Sequence, residues 1–146
     1  MNTDSYILLI EDNPDDAELT QMAFKKNNFA NSFITVEDGK QALDFLFGDQ
    51  PQGINQKGFP VIILLDLNLP KVDGHEVLRQ IKSNKATKRI PVVILTSSQE
   101  DEDIINGYEL GANSYVRKPV DYKQFVDVVN NLGVYWLAVN HPSINA

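Results

Sequence analysis

Five short apolar runs recur along the chain, and stretches with the apolar spacing of helices separate them. Runs of this length are typical of strands, and their alternation with helical stretches is typical of βα units. Parallel strands need a long crossover between them, which each helical stretch can supply. The predicted strands are Tyr6–Ile10, Phe33–Val36, Val61–Asp66, Pro91–Thr96 and Ser114–Arg117.

This alternation predicts an α/β fold in which helices cover both faces of a parallel sheet. Right-handed crossovers leave few topologies, and the flavodoxin-like (βα)5 sandwich with strand order 2-1-3-4-5 is common at this size. The 146 residues suit one domain. Within residues 1–146 we expect an exposed loop insertion at about 48–59 and a C-terminal extension at about 134–146.

Helix boundaries are marked by capping residues. Asn13 can cap a first helix that begins at Pro14, with Leu19, Met22 and Ala23 as its inward stripe. Further helices are predicted for residues 40–47, 75–83 and 99–110, and a long last helix from about residue 121. The inward positions of the helix at 75–83 are Val77, Leu78 and Ile81, and those of the last helix are Phe125, Val128, Val129, Leu132 and Trp136.

Composition and charge disfavour several classes of protein. The chain has no cysteine, so it lacks disulfides and thiolate metal sites, and its net charge of −7 argues against general nucleic-acid binding. The basic cluster of Lys82, Lys85, Lys88 and Arg89 is interpreted as a solvated loop rim rather than a phosphate-backbone site. Without a signal peptide or an apolar stretch of about 20 residues, a cytoplasmic protein that does not bind membranes is expected.

Polar residues follow four of the predicted strands. Glu11 and Asp12 follow the first strand, Asp66 ends the third, Thr96 ends the fourth, and Lys118 follows the fifth. Because ligands of open α/β sheets bind beyond the carboxyl ends of the strands, these side chains should meet in one crevice. Three carboxylates there would repel one another, so a cation must compensate.

Mg²⁺ suits such a crevice, because it prefers carboxylate and carbonyl oxygens and retains several waters. Asp12 and Asp66 can supply carboxylates, the main-chain carbonyl of Asn68 is a further candidate ligand, and Glu11 could act through water. A carboxylate beside Mg²⁺ and a lysine can attack a phosphoryl group and form an aspartyl phosphate. Thr96 could then donate a hydrogen bond to that group.

Four segments, IEDNPDD, VIILLDLNLPKVDG, IPVVILTSS and GANSYVRKPV, occur in the order and at the separations of a known family. The chain resembles the receiver domain of bacterial two-component response regulators from Ile7 to about Leu137. Each segment by itself is a weak signal, and the four together are highly specific.

The resemblance implies a role for each matching residue. Asp66 would be the phosphoacceptor, Asp12 the direct metal ligand within the acidic pair, and Asn68 the carbonyl donor. Thr96 would be the switch hydroxyl, Lys118 the phosphoryl-binding lysine in a cis peptide with Pro119, and Tyr115 the switch aromatic. The first acidic position is Glu11 instead of the more common Asp, which should alter metal geometry slightly without abolishing binding.

LNLPKVDG and LGVYWL are most similar to single-domain regulators paired with phytochrome-type histidine kinases. That narrower resemblance implies a histidine kinase partner and a homodimer through the last helix and tail. Independently, Tyr135 and Trp136 are larger and more apolar than a solvated tail requires, although they could instead close the core.

The predicted function is a phosphorylation switch that takes a phosphoryl group from a histidine kinase and is not an enzyme with turnover. We expect no output domain after the last helix, so its output would be a protein contact or onward phosphotransfer. One alternative is an aspartyl-phosphate-forming phosphatase, against which Asn68 counts because such phosphatases usually place an aspartate there. The other is a scaffold of the same fold that is never phosphorylated, against which the intact acidic crevice counts.

Overall fold

The computed structural model describes residues 6–29, 31–48, 53–54, 58–67, 69–96, 111, 114–117 and 122–133. Its strands are β1 (Tyr6–Ile10), β2 (Ser32–Val36), β3 (Ile62–Leu65), β4 (Val92–Thr96) and β5 (Ser114–Arg117). Its helices are α1 (Pro14–Lys26), α2 (Gly39–Phe47), α3 (Gly74–Ser83) and α4 (Tyr122–Gly133). The predicted helix at 99–110 and the extension at about 134–146 lie outside the described residues.

The five strands form one parallel sheet in the order β2-β1-β3-β4-β5. This confirms the predicted flavodoxin-like topology. At the centre, Ile10 at the end of β1 pairs with both Val36 of β2 and Leu65 of β3. The carboxyl ends of these three strands are therefore level, and the residues that follow them leave the sheet side by side.

Alternating side chains of the central strands supply two cores, one on each face of the sheet. Leu8 and Ile10 of β1 face the core covered by α2 and α3, whereas Ile7 and Leu9 face the core covered by α1 and α4. All four are buried. Such double burial explains why the central strands are apolar at every position, and it confirms the three-layer architecture.

The inward stripe predicted for α1 is wrong in two of its three members. Leu19 is 39% exposed and Met22 is 47% exposed. The buried positions are Ala17, Thr20, Ala23 and Phe24, and the Thr20 hydroxyl donates a hydrogen bond to the carbonyl oxygen of Asp16 at 2.9 Å. A threonine whose hydroxyl is satisfied within its own helix can face the core, so the polarity of its side chain misled the sequence prediction.

The other helices agree more closely with prediction. Helix α2 begins at Gly39, one residue earlier than expected, with Asp38 as its N-cap. Val77, Leu78 and Ile81 of α3 are fully buried. In α4, Phe125 and Val129 are buried and Val128 is half-buried, while the side chains of Leu132 and Trp136 lie outside what the structure describes. Strand β3 is shorter than predicted by one residue at each end, which leaves Asp66 just beyond it.

Part of the predicted loop insertion is anchored to the body of the domain. Ile54 packs against the core beneath α2 and α3, and the Tyr6 hydroxyl donates a hydrogen bond to the carbonyl oxygen of Gly58. Within the described ranges, the helices lack the length and apolar character needed to cross a bilayer.

Candidate functional site

Three carboxylates meet at the carboxyl edge of the sheet. One oxygen from each of Glu11, Asp12 and Asp66 lies within 4.8 Å of the other two. The main-chain N–H of Asp66 donates to the carbonyl oxygen of Ile10 at 3.0 Å, which extends the β1–β3 ladder by one residue. The register of two neighbouring strands thus produces the cluster that the sequence predicted.

A short loop carries the first two carboxylates. Glu11 is 2% exposed, and its N–H donates to the carbonyl oxygen of Val36 at 3.0 Å. The N–H of Asn13 donates to Glu11 Oε2 at 3.3 Å. Asn13 Oδ1 in turn accepts the N–H groups of Asp15 and Asp16 at 2.9 and 3.1 Å, as a helix N-cap should. The loop is therefore held by β2 and by the first turn of α1.

A longer loop carries the third carboxylate. Asp66 is 7% exposed, and residues 66–73 connect β3 to α3. Within the loop, the carbonyl oxygen of Leu67 accepts the N–H groups of Leu69 and Gly74, both at 3.1 Å. Lys71 has a φ of +67°, a left-handed conformation that costs a residue with a Cβ about 1 kcal/mol. Contacts elsewhere must hold this conformation.

The first turn of α2 supplies those contacts. The N–H of Gly39 points to the carbonyl oxygen of Pro70 at 3.4 Å, and Lys71 Nζ lies 3.5 Å from Asp38 Oδ2. Asp38 is 5% exposed and also accepts the N–H of Gln41 at 2.7 Å. The Gln41 hydrogen bond, with Lys71 nearby, lowers the pKa of Asp38 below its ordinary value.

The acidic cluster fits a hard divalent cation. A pair of carboxylates 4.8 Å apart repels by roughly 3 kcal/mol at an effective dielectric near 20, and by less where water reaches the exposed Asp12. All three side chains offer oxygen ligands, which Mg²⁺ and Mn²⁺ accept. The cluster can therefore hold such a cation, which would offset the repulsion.

The remaining predicted site residues are described only in part. The backbone of Thr96 ends β4 and pairs with Arg117, the residue before Lys118, and Tyr115 pairs with Ile94. The side chains of Thr96 and Tyr115 lie outside what the structure describes. So do Asn68, Lys118, the Lys118-Pro119 peptide and the tail with Tyr135 and Trp136.

The predicted basic rim contains one lysine with a structural role. Lys82 Nζ donates to the carbonyl oxygens of Lys88 and Ile90 at 3.1 and 2.9 Å, and burial lowers its pKa. Lys85, Lys88 and Arg89 are exposed, as predicted. The signal that sequence reasoning missed is the position of Lys82 in the last turn of α3, where a lysine can reach free carbonyl groups.

Among relatives, the chain is 42% identical to the response regulator Rcp1 of Synechocystis over 93% of its own length and 91% of that protein. It is also 42% identical to the probable methanogenesis regulatory protein FilR2 of Methanothrix harundinacea, over 92% of its length and 84% of that protein.

Solved structures of two response regulators superpose well on the fold. The phosphorylated cyanobacterial phytochrome response regulator RcpA gives a TM-score of 0.88 at 38% identity, covering 94% of this chain and 97% of that one. The Mn²⁺-bound form of Rcp1 gives 0.85 at 40% identity, covering 95% and 99%.

The family model for the response regulator receiver domain matches residues 7–130, which include all three carboxylates and both loops that carry them. The chain therefore belongs to the response regulator receiver family and is a phosphoacceptor regulator of a two-component system.

Proposed function

We propose that Asp66 is the phosphoacceptor and that it works with Mg²⁺ held at the acidic cluster. The observation that carries this proposal is the convergence of Glu11, Asp12 and Asp66 within 4.8 Å at the carboxyl edge of the sheet. Asp66 directly follows β3, so its backbone is fixed by the β1–β3 ladder while its side chain faces the cluster. A phosphoryl donor can reach the cluster because Asp12 is exposed.

In the proposed reaction, a carboxylate oxygen of Asp66 attacks the phosphorus of a kinase phosphohistidine. The new O–P bond forms as the N–P bond breaks, and the imidazole nitrogen keeps the electron pair and takes up a proton. Asp12, Asp66 and the carbonyl of Asn68 would hold Mg²⁺ directly, and Glu11 would act through water. When bound, the ion would supply positive charge beside the phosphoryl oxygens.

The proposed response involves Thr96, Lys118 and Tyr115. Lys118 pairs with the phosphoryl oxygens, and the Thr96 hydroxyl moves to donate a hydrogen bond to them. The space that Thr96 vacates lets Tyr115 turn inward and changes the face around β5. The strand register supports this assignment. Leu65, the residue before Asp66, pairs with Ile94, two residues before Thr96, and Thr96 pairs with Arg117, the residue before Lys118.

The proposed partner is a histidine kinase of the phytochrome type. RcpA supports it, since that relative is a cyanobacterial phytochrome response regulator. We further propose a cytoplasmic regulator that does not bind nucleic acid and acts as one receiver domain over residues 1–146. It would dimerise through α4 and the extension that carries Tyr135 and Trp136. A protein that signals this way transfers its phosphoryl group or loses it by hydrolysis and does not turn over other substrates.

Acetyl phosphate with Mg²⁺ tests the proposal when intact mass and elution volume are read together. The wild type should gain the mass of one phosphoryl group, and Asp66→Asn should gain none. Asp73→Asn is the matched control, because Asp73 belongs to the same loop and asparagine retains its role as the N-cap of α3. This control should be labelled like the wild type, and an earlier elution on labelling would support the dimer.

Three outcomes would count against the assignment. Full labelling of Asp66→Asn would place the phosphoryl group elsewhere. Absence of any mass gain in the wild type would favour the scaffold of the same fold. Steady hydrolysis of phosphate esters by the pure protein would favour the phosphatase, despite Asn68 at the position where such phosphatases usually carry an aspartate.

A further inference from the structure

We propose that the first turn of α2 positions the β3–α3 loop, which makes Asp38 and Gly39 positioning residues for chemistry at Asp66. The inference rests on the proposed role of Asp66 and adds a part of the molecule that the sequence analysis did not connect to the site. Helix α2 follows β2, and β1 lies between β2 and β3 in the sheet. Any influence of α2 on Asp66, which follows β3, must therefore pass through the β3–α3 loop.

Gly39 makes the closest of these contacts. A Cβ on Gly39 would lie 2.0 Å from the carbonyl oxygen of Val72 and 2.7 Å from its Cβ. Any side chain at this position would therefore push the loop away from α2. The N–H of Gly39 also points to the carbonyl oxygen of Pro70 at 3.4 Å. The absence of a side chain at Gly39 thus sets how closely the loop approaches the helix.

Asp38 adds a charge to the same contact. Its carboxylate caps α2 through the N–H of Gln41 and faces Lys71 Nζ at 3.5 Å. Lys71 is the loop residue in the left-handed conformation. The ion pair and the Gly39 contact therefore act on residues 70–72, the part of the loop whose backbone is least favourable without support.

The loop transmits this contact toward Asp66 because its other end is equally restricted. A Cβ on Gly74 would lie 2.6 Å from both the carbonyl oxygen of Asp66 and the Cα of Leu67. The Gly74 N–H also donates to the carbonyl oxygen of Leu67 at 3.1 Å. A displacement at Val72 is therefore passed to the carbonyl group of Asp66 and to Leu67, the residue that follows it. A misplacement of about 1 Å at a reacting group can slow a reaction about a hundredfold, even when the substitution that causes it lies far from the chemistry.

A pair of alanine substitutions in α2 tests the steric part. Gly39→Ala places its new Cβ against Val72, whereas Gly48→Ala places it 2.7 Å from the carbonyl oxygen of Asp44 at the other end of the same helix. Both therefore disturb α2, and only Gly39→Ala disturbs the loop. At saturating Mg²⁺, we expect the maximal rate of labelling by acetyl phosphate to fall about tenfold in Gly39→Ala and less than twofold in Gly48→Ala.

A pair of charge-neutralising substitutions tests the electrostatic part. Asp38→Asn retains a good N-cap and loses the attraction to Lys71. Asp44→Asn is its control, because Asp44 lies further along the same helix and pairs with Lys40 at 2.9 Å. We expect Asp38→Asn to weaken Mg²⁺ binding about threefold and Asp44→Asn to leave it unchanged. All four variants are measured at a temperature where circular dichroism shows each to be folded.

The outcomes separate this inference from the proposed function. If the wild type is labelled at Asp66 and Gly39→Ala is no slower than Gly48→Ala, the positioning role is refuted while the phosphoacceptor stands. If the wild type is not labelled, the proposed function fails, and Mg²⁺ titration of the same variants still reports on positioning. Equal Mg²⁺ affinities for Asp38→Asn and Asp44→Asn would remove Asp38 from the inference.

Discussion

The two loops that bring carboxylates to the site differ in how they are held. The β1–α1 loop spans residues 11–13 and is held by hydrogen bonds, from the N–H of Glu11 to Val36 of β2 and through the Asn13 cap of α1. The β3–α3 loop spans residues 66–73 and is held at Gly39 and Gly74, where the absence of a side chain lets two backbone segments approach closely. One loop is positioned by hydrogen bonds and the other largely by close backbone packing.

This difference has consequences for how each loop tolerates change. A capping hydrogen bond can be lost at a cost of about 1 kcal/mol while the helix persists. A backbone contact has no flexible side chain that could yield, so an added methyl group must displace the chain itself. The β3–α3 loop should therefore be the more sensitive of the two to small substitutions, although it is the longer.

The largest effect is expected from Gly74→Ala. Its Cβ would lie 2.6 Å from the carbonyl oxygen of Asp66, so the loop or α3 must move. We expect the free energy of unfolding to fall by about 3 kcal/mol and labelling of Asp66 to be lost. Urea denaturation followed by circular dichroism measures the first, and intact mass measures the second.

Gly58→Ala is the control for Gly74→Ala. Gly58 has a φ of +76°, but nothing lies within 4 Å of the position of its Cβ. Its substitution should cost about 1 kcal/mol through backbone strain and leave labelling intact. If the two variants were equally stable, close packing would not be what holds the β3–α3 loop.

A smaller effect is expected from Asn13→Ala in the short loop. The change removes the acceptor for the N–H groups of Asp15 and Asp16, at about 1 kcal/mol of stability. Glu11 should stay in place because the N–H that it accepts belongs to the backbone of residue 13. Mg²⁺ affinity, measured by calorimetric titration, should therefore change less than twofold.

Asn13→Ser serves as the matched control, since serine is also a good N-cap and should restore most of the stability. A tenfold loss of Mg²⁺ affinity in Asn13→Ala would contradict the comparison. It would mean that the short loop, like the long one, depends on contacts that a single side-chain change can disrupt.

The same contrast explains what the sequence could predict. Glu11, Asp12 and Asp66 follow apolar runs directly, so strand ends and topology were enough to bring them together. Asn13 and Pro14 form a local capping pattern that is visible in the sequence. The contact between Gly39 and Val72 joins residues far apart in the chain, and no sequence pattern around a glycine identifies the residue that it contacts.

The misassigned face of α1 has a related cause. Leu19 and Met22 are apolar yet exposed, whereas Thr20 is polar yet buried, because its hydroxyl bonds within the helix. Hydrophobic periodicity assigns each residue from its own side chain and is insensitive to such compensation. In α3, by contrast, all three predicted inward residues, Val77, Leu78 and Ile81, are buried.

The smallest effect is expected at Tyr6, at the amino end of the strand whose carboxyl end carries Glu11. Here a side chain makes a hydrogen bond to a loop. Like the Asn13 cap of the β1–α1 loop, this hydrogen bond can be lost without displacing the backbone. The Tyr6 hydroxyl donates to the carbonyl oxygen of Gly58, and burial raises the pKa of Tyr6 from 10.0 to about 12. Tyr6→Phe should cost about 0.5 kcal/mol at neutral pH, because the exposed carbonyl of Gly58 can bond water instead.

In the wild type, the unfolded chain loses the Tyr6 proton near pH 10 and the folded chain only near 12, so stability should fall as the pH rises through this interval. Absorbance titration of the phenolates, compared between wild type and Tyr6→Phe, should show one group ionising near pH 12 that the variant lacks. A Tyr6 that titrated near pH 10 would show that the amino end of β1 is open to water.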